Sequence, residues 1–156
     1  MGALRVIWVG KTERGFHQQA VTFYRKRIAP LQTLECIEVR SAAHSGRGAG
    51  RAVEKESDAI LKRIAARDSV ILLDEKGRQR SSRELAALFE ELSRGGGSLT
   101  LVLGGAYGVD ERVRARAGVK LSLSRLTFPH QLARVILLEQ IYRSLTLREG
   151  HGYHHD

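Results

Sequence analysis

Apolar and polar positions along this chain follow two rhythms, one of strands and one of helices. Leu4-Arg5-Val6-Ile7-Trp8-Val9 reads as a strand. Phe16, Ala20, Phe23 and Tyr24 then recur at helical spacing until Pro30 stops the helix. Leu34 to Val39 predicts a second strand, and Val53, Ile60, Leu61 and Ile64 mark a second helix. Ser69 to Asp74 is a short apolar run of the kind buried on both faces. Ser81-Ser82-Arg83-Glu84 is a capping box, with Leu85, Leu88, Phe89 and Leu92 forming one helix face behind it. Ser98 to Leu103 is a fourth strand, Asp110 is placed to cap a short helix, and Val119 to Leu123 alternates as a fifth strand. A long helix follows Pro129 and runs to about Leu147.

Strands alternating with helices predict an α/β fold: a mostly parallel sheet of five or six strands with helices on both faces. A length of 156 residues fits a single domain, residues 1–156. The last helix is apolar around most of its circumference, from Leu132 and Val135 through Ile136, Ile141 and Leu145. A helix resting on one sheet face needs a single stripe. This one is either a fully buried core helix or packs on the sheet and on a second copy, giving a homodimer.

The 42% apolar and 28% charged composition is that of a folded protein and excludes a disordered tail. Unbroken aliphatic runs such as Val70-Ile71-Leu72-Leu73 are too short to span a bilayer. Cys36 is the single cysteine, so no intrachain disulfide forms. The N-terminal residues lack the apolar run and cleavage site of a secretory leader, and a cytoplasmic location is expected. A net charge of +9, carried by 20 Arg against 6 Lys, points to a polyanionic partner such as RNA. The preference for Arg has a second reading in GC-rich codon usage. Ser41 to Gly50, flanked by Arg40 and Arg51, is a glycine-rich basic loop, either a plain connector or an arm that orders on RNA phosphates.

Gly10-Lys11-Thr12 follows the first strand, but Arg5 stands where a phosphate loop needs glycine. No dinucleotide fingerprint follows that strand either, which argues against a nucleotide-dependent oxidoreductase. Gly104-Gly105-Ala106-Tyr107-Gly108 lies between an apolar strand and a capped helix, where glycines let backbone approach a ligand. A tight strand-to-helix turn explains it equally. Ser124 to His130 is the corresponding turn after the fifth strand, and its backbone amides and Phe128 suit an adenine; Leu73 would lie at the same sheet edge. The tail from Glu149 to Asp156 carries His151, Tyr153, His154 and His155. No cysteine or carboxylate cluster completes a metal site there, so no metal is expected. The tail is either frayed or docks on RNA, with Tyr153 stacking on a base and His154 hydrogen-bonding it.

Taken together, residues 103–108 (LGGAYG), 122–144 (SLSRLTFPHQLARVILLEQIYRS) and the terminal HGYH resemble the ribosomal RNA large-subunit methyltransferase H family of the SPOUT superfamily. The resemblance spans essentially the whole chain. It implies a C-terminal trefoil knot, which general folding rules disfavour. It implies methyl transfer from S-adenosylmethionine to N3 of a pseudouridine in 23S rRNA, on assembled ribosomes and by a homodimer. By the same resemblance, Leu73, Gly105, Ser124, Arg125, Leu126, Thr127, Phe128 and Pro129 hold the cofactor, while Arg143, Tyr153 and His154 lie near the target base. Ala106 and Gly152 stand where the family commonly carries proline, which loosens one turn and the tail. In such a reaction Arg143 would favour the anionic base, and His154 or His130 would accept the N3 proton, directly or through water. A composite site is expected, with one subunit holding the cofactor and its partner helping to present RNA. The alternative is a ribosome-binding module without chemistry, supported by charge alone.

Overall fold

The computed structural model describes residues 2–42 and 48–155. Five strands, β1 (Leu4–Val9), β2 (Leu34–Val39), β3 (Ser69–Gln79), β4 (Leu99–Leu103) and β5 (Val119–Ser122), alternate with five helices. These are α1 (Phe16–Ile28), α2 (Ala49–Leu61), α3 (Ser82–Ser93), α4 (Glu111–Arg116) and α5 (His130–Arg148). The strands form one sheet in the order β2-β1-β4-β3-β5, and every neighbouring pair is parallel. The α/β class expected from the alternation is therefore observed, with five strands.

Both sheet faces are covered, which explains the unbroken apolar runs. Leu4, Val6 and Trp8 of β1 point into a core shared with Val21 of α1, Leu88 of α3 and Ile141 of α5. Ile7 and Val9 point the other way, against Ile60 of α2 and Val113 of α4. Leu101 and Val102 of β4 divide between the same two cores. The capping box forms as expected: Ser81 Oγ accepts from the Glu84 amide at 3.2 Å, and Glu84 Oε2 accepts from the Ser81 amide at 2.7 Å. Asp110 caps α4 by accepting from the Arg112 and Val113 amides. Among the described residues no helix is long and apolar enough to cross a membrane.

Two features depart from the sequence pattern. First, β3 continues to Gln79 instead of ending at Asp74, because Leu73 and Arg78 both take register with Leu121 of β5 and the residues between them leave the ladder. Gly77 makes this possible, since a Cβ there would stand 2.7 Å from the Leu121 amide nitrogen. The polar run from Asp74 to Gln79 carries no strand periodicity, so the extension has no local signal. Second, much of the apolar circumference of α5 is covered within the chain, between α1, α3 and the sheet. Leu132, Val135 and Ile136 remain only half-buried. Of the basic loop, residues 43–47 lie outside the described residues; Gly48 is the N-cap of α2.

Candidate functional site

In a parallel sheet the loops that follow the strands gather at the carboxyl edge, where ligands bind. A cavity of about 610 Å³ opens there, within the range of small-molecule sites. Leu73, Gly105, Ser124, Leu126, Thr127 and Phe128 all line it, although they come from three separate stretches of chain. Arg125 is exposed and Pro129 is the N-cap of α5; both belong to the same segment without forming the wall.

Each turn is shaped by local chemistry. A Cβ on Gly105 would lie 2.5 Å from Oε1 of the buried Glu56 and 3.3 Å from Val9 Cγ1, so bare backbone forms this part of the wall. Gly108 has φ 78°, a left-handed conformation that favours glycine. In the turn after β5, Ser122 Oγ donates to the Ser124 carbonyl at 3.0 Å, and Ser124 Oγ accepts from the Leu126 amide at 2.9 Å. The Ser124 hydroxyl thus shapes its own turn. Leu126 is 73% exposed although it lines the cavity, so a ligand or partner has apolar surface to cover there.

The cavity wall also carries an ion pair that pattern reading passed over. Arg114 Nη1 lies 2.7 Å from Asp74 Oδ2, joining α4 to β3 across the wall. Neither residue stands out locally, because the bulge in β3 brings them together. His130, the first residue of α5, lines the cavity, but its Nε2 is buried and has no hydrogen-bond partner among the described residues. Burial, then the neighbouring Arg134, holds its pKa below the ordinary histidine value.

A second cluster stands at the other end of α5. Arg143 donates through Nε and Nη2 to Glu139 Oε1, at 2.9 and 2.5 Å, and its Nη1 lies 3.2 Å from His154 Nδ1. Arginine has only donors, so His154 Nδ1 is the acceptor in this contact. The Tyr153 hydroxyl donates to Glu139 at 3.3 Å, and its ring packs edge-on against Tyr142 and under the Arg143 guanidinium. Burial, then the Glu139 charge, pushes the Tyr153 pKa up to about 12. The hydrogen bond to Glu139 raises the Arg143 pKa further, so its charge is permanent.

The fold therefore brings Arg143, Tyr153 and His154 together and separates them from the cavity. Arg143 is thirteen residues beyond His130 along α5, about 20 Å of helix rise. Glu139, which binds two of the three residues, is the member of this cluster that sequence reasoning missed; its spacing of four residues before Arg143 was the available signal. Among the described residues no group of three or more His, Cys, Asp or Glu is placed to hold a metal ion.

The sequence family described as "Predicted SPOUT methyltransferase" matches residues 3–154. The chain is 41% identical over 154 residues to a Geotalea daltonii protein named Ribosomal RNA large subunit methyltransferase H, covering 97% of this chain and 99% of that protein. Proteins of the same name from Pelobacter propionicus and Gloeobacter violaceus are 42% and 39% identical, each over 97% of this chain and 99% and 98% of their own lengths.

Proposed function

The chain belongs to the SPOUT methyltransferase family, and from that premise we propose that it transfers a methyl group from S-adenosylmethionine to N3 of a pseudouridine in 23S rRNA of the large ribosomal subunit. The observation that carries this reading is the convergence of Leu73, Gly105 and the turn from Ser124 to Phe128 on one cavity at the carboxyl edge of the sheet. The bare backbone at Gly105 and the enclosing turn after β5 suit a flat adenosyl group, and Arg125 and Pro129 complete the segment that would hold it. The family's trefoil knot and the single domain spanning residues 1–156 are part of the same reading.

Bound in this cavity, S-adenosylmethionine supplies a sulfonium methyl that is electrophilic without activation. The work left to the chain is orientation and the handling of one proton. Holding the reacting atoms in line at near-attack distance contributes roughly 7–11 kcal/mol when geometry is good. Arg143 is a permanent cation beside the base and stabilises the negative charge that N3 gains as its proton leaves. Tyr153 supplies an aromatic face for stacking, and the His154 ring lies beside it to hydrogen-bond the base. The N3 proton passes to water.

The separation of cavity and cluster along α5 supports a homodimer in which one subunit's Arg143, Tyr153 and His154 serve the cavity of its partner. The half-buried Leu132, Val135 and Ile136 offer apolar surface for that pairing. A ribosomal substrate and a single half-buried cysteine fit the cytoplasm.

The test is methyl transfer from labelled S-adenosylmethionine to ribosomes and to free rRNA, followed by mapping of the modified base. Label on a pseudouridine of 23S rRNA is expected, with ribosomes preferred. Substituting Arg143, Tyr153 or His154 singly is expected to cut turnover while cofactor affinity, measured by isothermal titration, stays unchanged. Failure to bind S-adenosylmethionine would overturn the reading, and an obligate monomer with full activity would remove the composite site. The KM for ribosomes is expected to rise steeply with salt, because Arg–phosphate contacts release counterions.

A further inference from the structure

We propose that Glu139 is the positioning residue that holds Arg143 and Tyr153 as one rigid unit for the target base. The inference rests on the reading of Arg143, Tyr153 and His154 given above. An arginine presents five N–H donors in a planar fork, on a side chain with large rotamer freedom. Here the Nε edge of the fork is taken by Glu139 Oε1, which leaves Nη1 directed at His154. The same oxygen accepts the Tyr153 hydroxyl. One carboxylate oxygen thus touches two of the three residues and sets the third through Arg143.

The carboxylate is itself anchored. Its Oε2 accepts from Gln140 Nε2 at 2.6 Å, and Gln140 Oε1 accepts from the Ser82 hydroxyl of α3 at 2.7 Å. A chain of hydrogen bonds therefore runs from the first turn of α3 through Gln140, Glu139 and Arg143 to the tail. A solvated pair four residues apart on a helix contributes little. This pair differs: both side chains are largely buried, at 24% and 17% exposure, and the carboxylate is shared with a tyrosine. Glu139 is not the base in this scheme. Its charge is committed to the fork: Oε1 accepts from Arg143 and Tyr153, and Oε2 accepts from Gln140.

The experiment compares Glu139→Gln with the wild-type protein in methyl transfer to ribosomes. Glutamine keeps the shape and loses the charge that fixes the fork. A misplacement of about 1 Å at a reacting centre costs about 10²-fold in rate, so kcat is expected to fall by that order. The dissociation constant for S-adenosylmethionine and the ribosome KM are expected to stay unchanged. Glu139→Asp keeps the charge one methylene back and is expected to fall between the two. A double-mutant cycle separates positioning from general support. If Glu139 acts through Arg143, Glu139→Gln costs much less in an Arg143→Lys background than in the wild type. Wild-type kcat in Glu139→Gln, or the same loss in both backgrounds, overturns the proposal. Should thermal melting show Glu139→Gln unfolded, Glu139→Asp carries the test, and wild-type kcat in that variant overturns it. A wild-type protein that transfers no methyl to ribosomes fails the functional reading itself, and that result appears before any substitution is made.

Discussion

Arg134 Nη2 lies 2.6 Å from the carbonyl oxygen of Val9, the last residue of β1. Its Nη1 reaches the Gly10 carbonyl at 3.0 Å and the Thr12 hydroxyl at 3.1 Å, and its guanidinium stacks 4.9 Å from the Trp8 ring. The side chain is fully buried. Two of these three hydrogen bonds go to backbone oxygens at the carboxyl edge of a parallel sheet, where strand ends leave carbonyls to be satisfied. Arg134 thus ties α5 to the β1–α1 turn beside the cavity, and burial lowers its pKa.

Arg134→Met would relieve the buried cation but remove its donors from the Val9 and Gly10 carbonyls and the Thr12 hydroxyl. Hydrogen bonds to charged groups contribute roughly 1.5–3 kcal/mol each. A net loss of about 2–4 kcal/mol is expected, measured by urea denaturation. Unchanged stability would show that water or neighbouring donors take over those carbonyls.

Gly105→Ala brings a methyl against Glu56, whose Oε2 accepts from the Ala42 amide at 2.9 Å. Overpacking of this kind costs about 1–3 kcal/mol. If half of that falls on the cavity, S-adenosylmethionine affinity drops about 3- to 10-fold in isothermal titration. Gly50→Ala is the control: no atom lies within 4 Å of its added Cβ, and donor binding should not move.

Ser81→Ala removes the hydroxyl half of the capping box and is expected to destabilise the fold by about 1 kcal/mol. The Ser81 amide, then its hydroxyl, lowers the Glu84 pKa in the folded state. Stability from this source is present above the unfolded-state carboxylate pKa and is lost as pH falls through the lower folded value. The gap between wild type and variant should therefore narrow in acid, read from melting curves between neutral pH and about pH 3.

Tyr153 should remain a protonated donor across the working range, since burial and the Glu139 charge carry its pKa up to about 12. The pH–rate profile is expected to show no alkaline limb from this hydroxyl below about pH 11. Tyr153→Phe keeps the stacking face and loses the bond to Glu139, so it should retain more activity than Tyr153→Ala. Equal losses in the two variants would show that the ring contributes nothing.

What the chain alone determined is its local order. The strand and helix sequence, the Ser81–Glu84 box, the Asp110 cap and the turns that form the cavity wall follow from short-range sterics, from apolar periodicity and from the resemblance carried by residues 103–108 and 122–144. The tertiary structure decided which of these segments meet. The order β2-β1-β4-β3-β5, the return of β3 beside Leu121, the burial of Arg134 and the Asp74–Arg114 pair depend on contacts between residues far apart in the chain. Glu139 and Arg143 were near neighbours on a helix in any reading, but only the fold brings Tyr153 and His154 back onto them and carries all four away from the cavity. Periodicity records whether a side chain is buried; it carries no record of what the side chain is buried against.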